Sequence, residues 1–236
     1  AGIVTFDGKA FNGVREQGLV GKTFNKAETI AKLPGRNAVG HVRYSTTGAS
    51  ISKNIQPLFA DLAAGGFACA HNGNLINAAK IRKDLIQNGA IFQTTSDTET
   101  ILQLVARSRE KLIKDKLIDA LFQIKGAYSL VILTNKKLIG VRDPYGIRPL
   151  VLGDLNGSPV LASETCALDI IGAKYVRDVE NGEIVIITKT GIKSIKPFPK
   201  VKERPCIFER IYFSRPDSIV GGKTVYTYRK NLGKEL

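Results

Sequence analysis

Three short segments contain residue types that together could bind and activate a free amino acid. They are GHVRYST (Gly40–Thr46), HNGNL (His71–Leu75) and SDTE (Ser96–Glu99). An arginine and an aspartate can hold the carboxylate and the ammonium group of such a ligand. An Asn–Gly pair can present hydrogen-bond donors to a side-chain carbonyl. Together these groups could hold an amino acid by both of its charges and present donors to its side-chain carbonyl.

Each of these residues also has a structural explanation. Arg43 lies in the apolar run AVGHVRY and needs an anion, because an unpaired buried guanidinium is unfavourable. The residues alone slightly favour a structural carboxylate over a ligand carboxylate as that anion. Asp97 follows Ser96, where the helix dipole would stabilise any acidic group, so a substrate ammonium is only one of two explanations.

The pair Asn72–Gly73 follows the apolar run GGFACA, at the expected end of a buried strand. Asn–Gly is a common turn pair, and a plain turn would explain it. The functional alternative is an oxyanion hole made by the Asn72 side-chain amide and the Gly73 main-chain N–H, with glycine allowing close approach of the backbone. Both readings remain open from the residues alone.

The chain has three cysteines, Cys69, Cys166 and Cys206. They are too few and too widely spaced for a disulfide framework or a CxxC metal site, which predicts reduced thiols in a reducing compartment. Cys69 and His71 are two residues apart in an expected strand and could form a thiol–imidazole pair. Against this, Cys69 lies inside an apolar run, where cysteine usually packs as a small hydrophobic side chain.

The elements that must position these segments can be read from turn signals and hydrophobic spacing. The first part of the chain is predicted to form the strands Ile3–Phe6, Gly18–Val20, Ala38–Tyr44 and Gly66–Ala70. Three helices are expected next: about Asn77–Asn88 with Asn77 as N-cap, one from Ser96 in a capping box with Glu99, and one from near Asp115. Further strands are predicted at Tyr128–Leu133, Leu138–Arg142, Leu150–Gly153, Val160–Ala162 and Glu183–Thr188.

Several of the later strands are apolar without alternation, which favours a sheet covered on both faces. Strands on both sides of a helical middle section predict two stacked sheets between helical layers. RDPYGIRPL (Arg142–Leu150) is expected to be a turn built on Pro144 and Gly146, and SETCALD (Ser163–Asp169) to begin a short helix. The Lys, Pro and Glu residues of Lys200–Pro205 suggest a linker.

Composition narrows the classes of partner. Lys and Arg number 35 against 21 Asp and Glu, giving a net charge of +14, but the basic residues are scattered and not interleaved with aromatic residues. This pattern favours a solvated basic surface over a nucleic-acid site. No apolar run approaches the roughly 18 residues of a membrane span, so we expect no membrane partner and a cytoplasmic location. The chain begins at Ala1 and contains no Met, so we expect a piece of a longer protein.

Taken together, the three segments resemble the glutamine pocket of the class II, or N-terminal-nucleophile, glutamine amidotransferases. The resemblance implies that Arg43 binds the glutamine carboxylate, that Asp97 binds its amino group, and that Asn72 and Gly73 polarise the side-chain amide. Thr46 resembles a further substrate contact. The implied fold is α+β, a four-layer α/β/β/α sandwich of two stacked, mainly antiparallel sheets.

In that family the nucleophile is the thiol of an N-terminal cysteine, with its own α-amine as the nearby base. This chain starts with Ala1-Gly2-Ile3-Val4, which resembles the strand after the cysteine-bearing segment. The expectation is therefore a domain that lacks its nucleophile and is inactive as given.

A later stretch, CIFERIYFSRPDS (Cys206–Ser218), resembles the junction at which amidophosphoribosyltransferases pass into their phosphoribosyltransferase domain. The resemblance implies a glutaminase domain over residues 1–199, and a linker with the start of the second domain over 200–236. It also implies that ammonia from glutamine is transferred to phosphoribosyl pyrophosphate to form 5-phosphoribosylamine, the first step of de novo purine biosynthesis. Two alternatives are the glutaminase domain of a sugar-phosphate aminotransferase and a catalytically dead glutamine-binding module.

The same resemblance carries expectations about cofactors and assembly. Mg²⁺ would belong to the phosphoribosyltransferase domain, and a homo-oligomer is expected. Some members hold a [4Fe–4S] cluster, and Cys206 matches the position of one ligand. Such a cluster needs four thiolates, so an ordinary partly buried thiol explains Cys206 equally well.

Overall fold

The computed structural model describes residues 1–42 and 51–236, and these divide into two compact units. The first unit comprises Ala1–Gly126, Leu130–Ile139 and Thr188–Gly191, and the second comprises Ala127–Ser129, Gly140–Ile187 and Ile192–Leu236. Arg43 and Thr46, two of the expected substrate contacts, lie outside the described residues.

The first unit begins with a three-stranded antiparallel sheet. Its strands are β1 (Gly2–Phe6), β2 (Phe11–Arg15) and β3 (Asn37–His41), in the order β2-β1-β3. One face of this sheet is apolar, and Val4, Phe6 and Val39 form a buried cluster with Ala68, Ala70 and Leu133. This packing confirms the predicted strand at Ile3–Phe6.

The predicted strand at Gly18–Val20 is wrong. Gly18 adopts a φ of 98°, which turns the chain, and two short helices follow, α1 (Val20–Thr23) and α2 (Ala27–Ala31). Leu19 is 71% exposed, so this run buries no apolar face that could hold it in a sheet. Three apolar or small residues between turn signals are too few to distinguish a strand from a turn.

The next two strands form a hairpin, β4 (Leu58–Leu62) and β5 (Gly65–Leu75), with Leu58 opposite Cys69 and Leu62 opposite Gly65. The first half of β5 is core: Phe67, Ala68 and Cys69 are completely buried. The strand does not end there, as the sequence suggested, but continues for five residues through HNGNL. Asn72–Gly73 is therefore part of a strand and not a turn.

Three helices follow β5 within the first unit, as predicted: α3 (Ala78–Gln87), α4 (Thr98–Arg107) and α5 (Ile113–Gln123). Asn77 occupies the N-cap position of α3, but its side chain makes no capping bond. It donates to the Gln123 carbonyl oxygen (2.9 Å) and accepts from the Lys125 main-chain N–H (2.8 Å). It therefore ties the start of α3 to the chain just after α5.

The expected capping box at the start of α4 is not formed. The helix begins two residues later than predicted, with Asp97 at the N-cap position. The Glu99 carboxylate accepts instead from the main-chain N–H groups of Gln93 (2.8 Å) and Thr94 (2.7 Å) in the preceding loop. Two donors there outcompete the single one a capping box offers.

The remaining strands are β6 (Gly126–Thr134), β7 (Leu138–Arg142), β8 (Val151–Leu155), β9 (Ser158–Ala162), β10 (Lys174–Asp178), β11 (Ile184–Thr188) and β12 (Gly191–Ile195). The strand order is β12-β11-β7-β6-β5-β4 in a six-stranded sheet and β10-β8-β9 in a three-stranded one. Consecutive residues of β6, β7 and β11 are buried, as their unbroken apolar sequences predicted.

The second unit confirms the predicted turn at Gly146 and the predicted short helix. Asn156 (φ 51°) and Gly157 (φ 84°) form the tight turn of the β8–β9 hairpin. Gly146 (φ 66°) lies in the turn after β7, where its N–H donates to the Asp143 carbonyl oxygen (3.0 Å). Helix α6 (Thr165–Ile171) occupies the SETCALD segment.

The C-terminal part of the second unit contains a short π-helix (Glu209–Phe213), the strand pair β13 (Ile219–Val220) and β14 (Lys223–Thr224), and helix α7 (Val225–Glu235). The π-helix is anchored because the buried Glu209 carboxylate pairs with the guanidinium of Arg148. In the part of the chain that the structure describes, no helix is long and apolar enough to span a membrane.

Candidate functional site

The structure joins two of the three chemistry-bearing segments, the end of β5 and the start of α4. The Asp97 carboxylate accepts a hydrogen bond through Oδ2 from the main-chain N–H of Leu75, at 2.9 Å. Its Oδ1 lies 3.8 Å from Nδ1 of His71. HNGNL and SDTE, which are more than twenty residues apart in sequence, therefore meet at one place.

Local packing explains why Asp97 lies there. Helix α4 buries Ile101, Leu104 and Val105 on one face, so its orientation is set by the core. Asp97 is at its N-cap position, where the helix dipole stabilises a carboxylate. The Asp97 side chain keeps 11% of its surface exposed, so its carboxylate is partly desolvated yet still reachable by a ligand.

Asn72 and Gly73 occupy the second half of β5, and both are half-buried. Gly73 has a φ of 154°, which glycine adopts without a steric penalty, and it has no side chain to block a ligand from its main-chain N–H. The Asn–Gly pair therefore lies two residues before the N–H that binds Asp97. The end of β5 therefore carries both the Asn–Gly pair and the main-chain N–H that binds the Asp97 carboxylate.

His71 connects these elements and is itself almost completely buried, at 3% exposure. Its Nδ1 lies 3.3 Å from the Thr98 hydroxyl, which in turn accepts from the Ser96 hydroxyl (3.1 Å). Its main-chain N–H donates to Oε1 of Gln56 at 2.6 Å, and its carbonyl oxygen accepts from Nε2 of Gln56 at 3.3 Å. These contacts give His71 a structural role at the junction of β5 and α4.

The alternative thiol–imidazole pair does not fit this arrangement. Cys69 is completely buried, and burial raises the pKa of its thiol far above the ordinary value. The thiolate is the nucleophilic form of cysteine, so a thiol held in its neutral form is a poor nucleophile. Cys69 is a packing residue of β5, as its apolar neighbours suggested.

The loop before Asp97 is held from two sides. Glu99 binds it through Gln93 and Thr94, and the Thr94 hydroxyl donates to the same carboxylate (2.7 Å). On the other side, Asn54 forms two bonds with Thr95: its Nδ2 donates to the Thr95 hydroxyl (2.7 Å), and its Oδ1 accepts from the Thr95 N–H (2.9 Å). Asn54 belongs to a 3₁₀ turn (Ser52–Asn54) and is completely buried.

The sequence interpretation missed Asn54 and Gln56, which bond the loop before Asp97 and the main chain of His71. The available signal was a pair of amide residues on either side of Ile55 in the stretch Asn54–Leu58, all of which is buried. A buried amide needs hydrogen-bond partners, so two of them close together indicate main-chain groups that must be satisfied nearby.

Comparison with known proteins bears on this site directly. The family model described as "Glutamine amidotransferase domain" matches residues 41–169, more than half of the chain. The chain belongs to the glutamine amidotransferase domain family. The matched range contains Arg43, Thr46, Asn72, Gly73 and Asp97.

Relatives of this amidotransferase domain are longer proteins. The amidophosphoribosyltransferase of Rhizobium etli is 55% identical over the whole chain, which covers 49% of that protein. The solved structure described as the allosteric regulatory enzyme of purine biosynthesis has a TM-score of 0.94 at 44% identity, covering 99% of this chain and 50% of that one. The solved structure of the glutamine phosphoribosylpyrophosphate amidotransferase of Bacillus subtilis, complexed with ADP and GMP, has a TM-score of 0.93 at 43% identity. The match covers 99% of this chain and 50% of that one.

The chain thus spans about half the length of the relatives it matches. At these identities the likeness also confirms the predicted fold class, an α+β N-terminal-nucleophile hydrolase with stacked antiparallel sheets.

The described part of the amidotransferase domain does not form a metal or cluster site. Across residues 1–42 and 51–236, no group of three or more His, Cys, Asp or Glu side chains could hold a metal ion. Cys206 is partly exposed, Cys69 is buried in β5, and the Cys166 thiol points to Glu164 at 3.8 Å. A [4Fe–4S] cluster requires four thiolates, more than the chain contains, so Cys206 as a cluster ligand stays a prediction.

Proposed function

We propose that this chain is the glutamine-hydrolysing part of an amidophosphoribosyltransferase. In this proposal, glutamine and water give glutamate and ammonia, and the ammonia is transferred to phosphoribosyl pyrophosphate to form 5-phosphoribosylamine in de novo purine biosynthesis. The observation that carries it is the bond between Asp97 and the main chain of HNGNL. It holds the Asp97 carboxylate beside the end of β5 that carries the candidate oxyanion hole, Asn72 and Gly73.

Each recognition element has a chemical task. The Asp97 carboxylate receives the α-ammonium group of glutamine, and the Arg43 guanidinium receives its α-carboxylate, with Thr46 as a further contact. The side-chain amide then lies against Asn72 and Gly73, whose N–H groups stabilise the oxyanion formed when the carbonyl is attacked. Removing one such donor raises the barrier by roughly 3–4 kcal/mol in enzymes of this type of chemistry.

Asp97 is suited to bind an ammonium group. Among the described residues, its carboxylate accepts one main-chain N–H, whereas a carboxylate has about four acceptor positions. The accepting capacity that remains is partly shielded from water, which strengthens an ion pair with an incoming cation.

The nucleophile in this proposal is the N-terminal cysteine that the family resemblance implies. Its thiolate attacks the amide carbon, ammonia leaves, and water then hydrolyses the thioester to give glutamate. Burial of Cys69 supports this assignment, because the thiol nearest to the site in sequence is held in its neutral form.

The domain assignment and the acceptor chemistry are part of the same proposal. Residues 1–199 form the glutaminase domain, and 200–236 form a linker and the start of a phosphoribosyltransferase domain, where Mg²⁺ would bind with phosphoribosyl pyrophosphate. The names of the relatives, and the fact that the chain spans about half of their length, support a second catalytic domain in the full-length protein. A homo-oligomer in the cytoplasm is proposed too, and three unpaired cysteines agree with a reducing compartment.

The test uses the full-length gene product, purified with its N-terminal residue verified by mass spectrometry. Glutamate release from glutamine is measured with and without phosphoribosyl pyrophosphate and Mg²⁺, together with pyrophosphate release. The proposal expects glutamate and pyrophosphate to form in equal amounts. Glutamine binding without hydrolysis would instead show a catalytically dead module, and coupling to a sugar phosphate alone would show a sugar-phosphate aminotransferase.

A further inference from the structure

We propose that Asn54 and Gln56 are positioning residues, which fix the Asp97 carboxylate and the Asn72–Gly73 donors relative to each other. Asn54 acts through the loop before Asp97, and Gln56 acts through the main chain of His71. The inference rests on the proposed glutamine hydrolysis, because it assigns roles toward that substrate.

Gln56 is bonded to the main chain immediately before the candidate oxyanion hole. Its side-chain amide accepts from the N–H of His71 (2.6 Å) and donates to the carbonyl oxygen of the same residue (3.3 Å). Two bonds to one residue fix both the position and the orientation of that peptide segment. The same carbonyl oxygen also lies 3.1 Å from Nε2 of His41, whereas the His71 N–H is bonded by Gln56. His71 is followed directly by Asn72, so loss of both Gln56 bonds should loosen the segment that carries the proposed oxyanion-hole donors.

Asn54 makes the equivalent pair of bonds with Thr95, two residues before Asp97. Its amide donates to the Thr95 hydroxyl (2.7 Å) and accepts from the Thr95 N–H (2.9 Å). The opposite side of this loop is held by Glu99, so the loop cannot move away from Asn54 without breaking bonds on both sides. Asn54 therefore determines where the chain enters α4 and where Asp97 lies.

The two amides belong to one short, buried piece of chain. Asn54, Ile55 and Gln56 are 0%, 6% and 5% exposed, and the Cα atoms of the two amide residues are at most about 7 Å apart. A core position that only needs volume is filled better by an apolar residue, because a buried amide is unfavourable without partners. Here each side-chain amide donates one hydrogen bond and accepts another. Asn54 bonds Thr95 in the loop before α4, and Gln56 bonds the main chain of His71 in β5.

The arrangement predicts different kinetic signatures for the two residues. Gln56 supports groups that stabilise the transition state, so its loss should lower kcat and leave ground-state binding nearly unchanged. Asn54 supports the group that binds the ammonium, which is needed equally in the ground state and the transition state. Its loss should raise KM and leave kcat nearly unchanged.

The experiment compares Gln56→Leu and Asn54→Leu in the full-length enzyme. Glutamate release gives kcat and KM for glutamine, and inhibition by L-glutamate gives a measure of ground-state binding. For Gln56→Leu we expect kcat to fall roughly 100-fold, as for a misplacement of about 1 Å, with the glutamate inhibition constant within about twofold. For Asn54→Leu we expect KM and the inhibition constant to rise roughly 10-fold, with kcat within about threefold.

Milder variants keep the test informative if a leucine variant does not fold. Thr95→Val, at an exposed residue, removes only the hydroxyl that Asn54 binds and should raise KM by a smaller factor. Gln56→Met keeps the length of the side chain and adds no buried charge, so a folded variant that lacks both bonds to His71 should lower kcat as Gln56→Leu does. Asn135→Ala is the matched control, because Asn135 also bonds the main chain of β5, but at Gly66, about 16 Å along the strand from His71.

The inference is overturned if folded variants of both residues change kcat and KM in the same proportion, or if they behave like Asn135→Ala. Thermal unfolding of each variant separates such an outcome from loss of the folded protein. A wild-type enzyme that releases no glutamate would count against the proposed function. If the wild-type enzyme turns over normally but Gln56→Leu and Asn54→Leu do not differ in whether kcat or KM changes, only the positioning roles are contradicted.

Discussion

Two aspartates, one in each unit, show how similar main-chain bonding can serve different ends. Asp143, after β7, is completely buried and accepts from the N–H groups of Tyr145 (3.0 Å), Ile147 (3.1 Å) and Arg148 (3.0 Å). Asp97, before α4, accepts one main-chain N–H from residues 1–42 and 51–236, and 11% of its side-chain surface is exposed. All three bonds of the first carboxylate lie within its own turn, whereas the second is the carboxylate that we propose binds the ammonium group of glutamine.

Burial also changes the acidity of Asp143. Burial raises the pKa of Asp143, against the N–H groups of Arg148 and Ile147, which lower it. A carboxylate can therefore be rich in hydrogen bonds and still have no access to substrate. The number of bonds and the degree of exposure together separate a structural carboxylate from a binding one. The four predictions below test that distinction in order of decreasing effect.

The largest effect is expected from Asp143→Ala, because three main-chain donors would lose their shared acceptor inside the protein. We expect the free energy of unfolding to fall by about 3–5 kcal/mol, measured by urea denaturation. Asp154→Ala is the control: that carboxylate accepts a single bond in the exposed β8–β9 turn, from Gly157 (2.8 Å), and should cost less than about 1 kcal/mol. Equal urea midpoints for Asp143→Ala and wild type would contradict the structural role.

Asp97→Asn should have the opposite profile. The asparagine oxygen can still accept from Leu75, so we expect less than about 1 kcal/mol of lost stability. The neutral amide cannot balance an ammonium charge, and kcat/KM for glutamine hydrolysis by the full-length enzyme should fall about 100-fold. Asp84→Asn, on an exposed position of α3, should leave both quantities unchanged. A variant with wild-type kcat/KM would remove Asp97 from the site.

Glu183 sharpens the comparison, because it is buried like Asp143 but faces a cation. Burial opposes its ionisation, yet bonds from Arg177 (2.8 and 2.7 Å), the Ser194 hydroxyl and the Glu180 N–H outweigh this and lower its pKa to about 2. A pKa lowered by folding contributes stability above the unfolded value of about 4.5, and that stability is lost as pH falls toward 2.

We therefore expect Glu183→Gln to be less stable than wild type by about 1–3 kcal/mol at pH 6, with the difference shrinking steadily between pH 5 and pH 2. Urea unfolding of both proteins across this range gives the difference directly. If the difference in unfolding free energy between Glu183→Gln and wild type stays constant with pH, the ion pair of Glu183 with Arg177 does not contribute to stability.

The smallest effect is expected from Cys69→Ala, which tests whether a buried side chain of β5 is structural or takes part in catalysis. Cys69 is completely buried and its thiol is held neutral, so kcat should stay within about twofold of wild type while stability falls by about 1 kcal/mol. Glutamate release and urea denaturation measure the two quantities. Loss of turnover in a folded variant would restore the thiol–imidazole alternative.

The sequence was sufficient for elements with long or continuous apolar patterns. Helices α3, α4 and α5 and strands β6, β7 and β11 lie where predicted, because their apolar residues repeat over two or more turns or fill a whole strand. Gly18–Val20 had too few residues to carry such a pattern. A turn at Asn72–Gly73 was one of two open interpretations, since local preference favours it, but packing of β5 and the bond from Leu75 to Asp97 keep the pair extended.

The candidate site was only partly readable for a similar reason. Motifs can point to candidate residues such as Asp97 and Asn72, since the residue type itself is the signal. Supporting contacts such as Asn54 with Thr95 or Gln56 with His71 depend on which distant segments meet. Contacts between segments that are distant in sequence cannot be predicted from the local pattern of apolar residues.

Under the proposed function β5 has two tasks, and this limits how the protein can change over evolutionary time. The same strand fills the core with Phe67 and Cys69 and carries Asn72 and Gly73 only a few residues later. A mutation that reshapes its second half is transmitted to the packed first half along a continuous backbone. New ligand preferences are therefore expected to arise in the neighbouring loops, while β5 diverges slowly among descendants that keep the same chemistry.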